Sequence, residues 1–103
     1  MIMSPKERKK LIVSLIKDDL INSKLVRGLN KAGLDADKYC LFLGGTIFDL
    51  LGFPNTERSD EIFAEYIKLT EKSDHVDIGE TPNALDELAN EIYVFLVKQR
   101  RRN

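Results

Sequence analysis

Apolar residues recur along this chain at spacings of three and four, in runs bounded by caps and breakers. The first run is Leu11, Ile12, Leu15 and Ile16, preceded by Ser4-Pro5-Lys6-Glu7. That tetrapeptide is a helix start: a serine N-cap, a proline where its missing N–H is harmless, and a glutamate three residues after the serine. A second stripe follows at Ile21, Leu25, Gly28, Leu29 and Ala32. At about 100° per residue it is rotated by roughly a third of a turn from the first, so one straight helix cannot bury both against one partner. The pattern therefore predicts a break near Asp18 to Asn22, with Asp18 or Asp19 as a new cap, and helices over 5–17 and 19–32. A single curved helix over 5–32 is the alternative. Gly33, just after Lys31, is a C-terminal stop.

Asp35 or Asp37 caps the next predicted helix, 36–52, which is the most apolar and is expected to be central. Gly52 and Pro54 close it. Gly44 and Gly45 fall inside it. Each glycine costs a helix interior roughly 1 kcal/mol relative to alanine, so the pair predicts a compensating notch for a neighbouring helix, with a break at the pair as the other reading. Overpacking is then expected from a large residue at either position.

Thr56 or Ser59 caps a helix over 59–72, with Ile62, Phe63, Tyr66, Ile67 and Leu69 inward and Glu61, Glu65, Lys68 and Lys72 outward. "SDHVDIGE" is a polar loop. Thr81 or Asn83 caps the last helix, 82–100, whose stripe is Ala84, Leu85, Leu88, Ala89, Ile92, Phe95 and Leu96. Val94 and Val97 make it apolar nearly all round. No segment alternates strictly with period two and no hairpin signal is present. The expected fold is an all-α bundle of four or five helices.

The 103 residues make one domain over 1–103, with a basic, frayed tail at 98–103. At 43% hydrophobic and 32% charged, the composition is globular. Charge is unevenly placed: +5 over residues 1–34, −2 over 35–54, −8 over 55–91 and +4 over 92–103. A lone cysteine, Cys40, excludes an intrachain disulfide. "LIVSLI" is too short for a secretory leader and is followed at once by Lys17, Asp18 and Asp19. The apolar stretch Tyr39–Phe53 contains Asp49 and falls short of the ~20 residues of a membrane span. A cytoplasmic protein without a membrane segment is expected.

Candidate chemistry changes this picture little. "GGTIFD" lacks the lysine of a phosphate loop and the third glycine of a dinucleotide fingerprint. "DADKYC" places Cys40 where a calcium loop needs glycine. His75 has no second histidine or nearby cysteine to complete a zinc set. Cys40 reads as a small buried hydrophobe. The carboxylates of 55–91 read as solvated helix positions, whereas acid–base catalysis wants one in a desolvated cleft. No enzyme, cofactor or metal is expected.

Two functions remain. The first is a protein–protein or homo-oligomeric contact, with the chain itself or another protein as partner, through Tyr93, Val94, Phe95 and Val97, the surplus apolar surface of the last helix. The second is a nucleic-acid accessory role. It would use Lys6, Arg8, Lys9 and Lys10 with Arg100, Arg101 and Arg102 as phosphate contacts if the two basic segments meet. The acidic middle and the absence of aromatic–basic interleaving weigh against the second.

Overall fold

The computed structural model describes residues 3–35, 43–76 and 83–102. Over these described residues it is an all-α bundle of four helices: α1 (Pro5–Lys31), α2 (Gly44–Leu51), α3 (Glu57–Thr70) and α4 (Ala84–Arg102). A short 3-10 helix, Glu71–His75, continues from α3.

Local chemistry sets most helix ends. The Ser4 side chain accepts from the Glu7 amide at 3.2 Å, with Pro5 in the first turn. The Thr56 hydroxyl accepts from the Ser59 amide at 3.2 Å, so α3 starts two residues before the expected 59. Gly33 and Gly52 both sit in the left-handed region, at φ +85° and +79°, where a side chain is costly. After Gly52 the Phe53 amide reaches back to Phe48 O at 3.1 Å, and the two rings stack at 4.5 Å. This is the glycine stop with its accompanying apolar contact.

The predicted break at Asp18–Asn22 does not occur. α1 is continuous, and Asp19 lies mid-helix instead of capping a second one. The reason is tertiary: the Asp19 carboxylate turns into the core and accepts from the Tyr66 hydroxyl at 2.5 Å. The rotation of the two stripes has its expected consequence. Ile12, Ile16 and Leu20 are buried, while Leu25 is 59% and Leu29 42% exposed.

α1 touches every other element and packs most extensively on α4. The pair is antiparallel: Lys17 Nζ meets Asp86 Oδ1 at 2.9 Å, and Lys9 Nζ lies 5.6 Å from the Tyr93 ring centre. α3 is also antiparallel to α4, with Arg58 Nη2 donating to Gln99 Oε1 at 3.2 Å near one end. The core is built from Ile12, Ile16 and Leu20 of α1, Ile47 and Phe48 of α2, Ile62 and Tyr66 of α3, and Leu85, Leu88, Ala89, Ile92 and Leu96 of α4. Each of these larger side chains contributes roughly 1.5–3 kcal/mol by burial.

The expected 36–52 helix is described only from Gly44 onward; Asp37, Tyr39 and Cys40 lie outside the described residues, as do Thr81 and Pro82. The notch is real at Gly44, which is buried: a Cβ there would meet Phe63 Cε2 and Cζ at 3.0 Å. At Gly45 it is not, because a Cβ would face open space. Ile67, expected inward, is 48% exposed, since α3 turns Ile62, Tyr66 and Thr70 to the core instead. The basic segment expected to fray is helical through Arg102.

Candidate functional site

α3 and α4 each turn one stripe to the core, and the positions at its edge face each other across the two helices, with no covering element among the described residues. On α3 these are Glu65 and Leu69, at the i, i+4 spacing, with Lys68 beside them, and Lys72 follows in the 3-10 helix. On α4 they are Leu88, Glu91, Ile92 and Phe95, at i, i+3, i+4, i+7. Together they line an open groove of 490 Å³. Its floor is apolar, formed by Leu69, Leu88, Ile92 and Phe95. Its walls carry Glu65, Lys68, Lys72 and Glu91. Among the described residues none of these four charges forms an ion pair with another part of the chain.

The four residues expected to form an interface spread over about 200° of α4 at 100° per residue. Phe95 is in the groove. Val94, 48% exposed, points away from the core. Tyr93 and Val97 are half-buried, and Tyr93 lies on the α1 side beneath Lys9. The structure thus brings one of the four to the groove and does not join them into one patch. The other groove residues were harder to see. Leu69 was the last member of the inward stripe of α3, and Lys68 and Lys72 looked merely solvated. The available signal was that both helices carry apolar residues beyond one stripe.

The basic candidates come together only in part. Antiparallel packing of α1 and α4 sets Lys9 over Tyr93 in the middle of α4. Lys6, Lys9 and Lys10, with Val13 and Asn90, line a second cleft of 360 Å³. Some of these cations also serve the fold. The Arg8 guanidinium donates to Leu50 O at the C-terminus of α2, where helix polarity favours a cation. Arg100 is half-buried against Gly52, with its Nε buried and without a hydrogen-bond partner among the described residues. Arg101 and Arg102 are exposed.

One titratable pair lies in the interior. Burial raises the Asp19 carboxyl above its ordinary value, and the hydrogen bond from Tyr66 pulls it back only in part. Burial, followed by the same hydrogen bond, raises the Tyr66 hydroxyl well above the usual tyrosine range. Neither residue lines the groove or the basic cleft. Elsewhere, Arg27 Nε donates to both carboxylate oxygens of Asp74, at 3.0 and 2.9 Å, and Arg27 Nη2 donates to Thr70 O at 3.2 Å and Ser73 Oγ at 3.1 Å. This hydrogen bonding from Arg27 is the main reason the Asp74 carboxyl is lowered. His75 is exposed at the end of the 3-10 helix. Among the described residues no three His, Cys, Asp or Glu side chains gather as a metal set, and no helix is long and apolar enough to cross a membrane.

No protein-family model, curated protein or solved structure matches the chain.

Proposed function

We infer that the chain is a non-enzymatic helical interaction domain that pairs with another protein chain across the α3–α4 groove. The observation that carries this reading is the groove itself: an apolar floor between two helices, walled by charges of both signs that form no ion pair among the described residues. Such a surface fits the apolar face of a partner helix, read at i, i+3, i+4 and i+7. The Phe95 ring supplies the aromatic anchor that dominates many such contacts. The interior carboxyl, Asp19, is committed to Tyr66 and stands away from the groove, which leaves the groove's chemistry to its rim. The intended setting is cytoplasmic, in keeping with the single cysteine.

The test is a display selection for peptides on the wild-type chain, counter-screened on Phe95→Glu. The expected binders carry apolar residues at helical spacing and lose binding on the variant. Binders indifferent to Phe95→Glu, or none at all, would overturn the reading.

A second reading has one observation in its favour. The α1–α4 seam gathers Lys6, Lys9 and Lys10 in one cleft, which suits a nucleic-acid backbone. Its test is retention of a DNA probe at low salt. Retention should fall steeply with added salt and drop on Lys6→Ala/Lys10→Ala. No binding at low salt ends it.

A further inference from the structure

We propose that the occupant of the α3–α4 groove is the same groove of a second copy of this chain, in a two-fold pair that sets α3 of each copy against α4 of the other. This rests on the groove being a protein-pairing surface and names its partner.

The argument comes from the signs of the two walls. The α3 wall carries Lys68, and Lys72 continues it from the 3-10 helix. The α4 wall carries Glu91, and one turn earlier on that helix stands exposed Glu87. The α4 wall therefore holds a like-charge pair at i,i+4, which is mildly repulsive within its own helix. The antiparallel register is set by Arg58 against Gln99. Counting along both helices from that contact brings Lys68 to a height between Glu87 and Glu91.

A two-fold axis running along the groove exchanges α3 and α4 at constant height. It lays Lys68 and Lys72 of one copy against Glu87 and Glu91 of the other, and does so twice, because such an interface is isologous. The remaining wall carboxylate, Glu65, counts to the height of Ile92, beside Glu91 of the other copy, so Lys68 and Lys72 outnumber one like-charge contact on each wall. An axis across the groove would instead lay α3 on α3 and α4 on α4. Leu69 and Phe95 from each copy then close over one another and leave water, above Leu88 and Ile92, which the fold already buries. Charge complementarity of this kind selects orientation and partner more than it adds raw affinity, while the apolar floor supplies the driving force.

The experiment is sedimentation equilibrium of the full chain at low ionic strength, on the wild type and two double variants, Lys68→Glu/Lys72→Glu and Glu87→Lys/Glu91→Lys. Circular dichroism checks that each remains helical. Concentration-dependent dimerisation of the wild type is expected, weakened by about tenfold or more in each double variant. One variant has two acidic walls and the other two basic walls, so an equimolar mixture should recover dimers tighter than either variant alone. A wild type that stays monomeric, or double variants that pair as well as the wild type, overturns the proposal. The peptide selection separates the two failures. A monomer whose selected peptides still require Phe95 leaves the groove reading standing and removes only self-pairing. A monomer with no such peptides removes both.

Discussion

The Tyr66 hydroxyl donates to the Asp19 carboxylate at 2.5 Å across 47 residues of sequence, and both residues are buried, Asp19 at 8% exposure. This contact ties α3 to the middle of α1. Tyr66→Phe keeps the ring packing against Phe48 and Phe63 and removes only the donor. An interior acceptor left without its partner costs about 1–3 kcal/mol. Denaturant unfolding at neutral pH should show a loss in that range, and a variant as stable as the wild type would mean that Asp19 finds water or another donor.

The same pair sets a pH dependence whose sign can be worked out. Burial holds the folded Asp19 carboxyl above its ordinary value of 3.8. A group with a raised folded pKa contributes stability that is present below the unfolded value and lost as pH rises through the folded one. Asp19→Asn keeps an oxygen for Tyr66 without the charge. The stability difference between variant and wild type should therefore move in the variant's favour as pH rises above about 4. Asp74 acts in a separate window: its lowered carboxyl stabilises the fold above 3.8 and loses that effect as pH falls further. A difference curve for Asp19→Asn that is flat above pH 4 would contradict the assignment.

How far the fold could be read from sequence depends on the range of the cause. Ser4, Thr56, Gly33 and Gly52 act within one turn of themselves, and each stands at the helix end its type indicates. Asp19 was misread because two consecutive acids look like a cap, whereas its partner lies on α3. Ile67 was misplaced because the stripe of α3 is about as wide as the apolar run, and only the position of α1 selects which edge is buried. The groove was half legible. The surplus apolar surface of α4 was plain, but its direction was not, so Phe95 was grouped with Val94 and Tyr93, which face elsewhere. Lys68 and Lys72 gain meaning only once Glu91 is seen across from them.

The two adjacent glycines of α2 should respond oppositely. At Gly44 a Cβ would approach the Phe63 ring at 3.0 Å. Leucine there must displace an aromatic ring packed on Phe48, and overpacking of this kind costs about 1–3 kcal/mol. Gly45 faces open space. Alanine there removes backbone freedom from the unfolded chain and should be neutral or stabilising by up to about 1 kcal/mol. Thermal melts of Gly44→Leu and Gly45→Ala give the comparison, and equal losses at both would refute the asymmetry.

Arg27 is the clasp of the 3-10 helix. Its guanidinium reaches Asp74, Thr70 O and Ser73 Oγ at once, a planar fork that lysine cannot reproduce. Ser73 is itself buried, with its hydroxyl 2.8 Å from Thr70 O and 3.3 Å from Leu20 O. Arg27→Lys should accelerate amide hydrogen exchange over residues 71–76, including the Val76 amide bonded to Ser73 O, with little change in the middle of α4. Such confinement is expected where a local unit opens below the global unfolding energy. Uniform acceleration across all four helices would instead make Arg27 a global determinant.

The continuity of α1 is tested by two leucines five residues apart. In the continuous helix Leu20 is fully buried and Leu25 is 59% exposed. Leu20→Ala should then cost about 2–5 kcal/mol, as large-to-small core changes do. Leu25→Gln should change stability by no more than about 0.5 kcal/mol. If the helix broke near Asp18–Asn22 and its second half rotated to bury the Ile21–Leu25–Leu29 stripe, the cost of Leu25→Gln would approach that of a core residue. Chemical denaturation of the two variants decides between these geometries, because no single rotation of one straight helix makes both leucines interior.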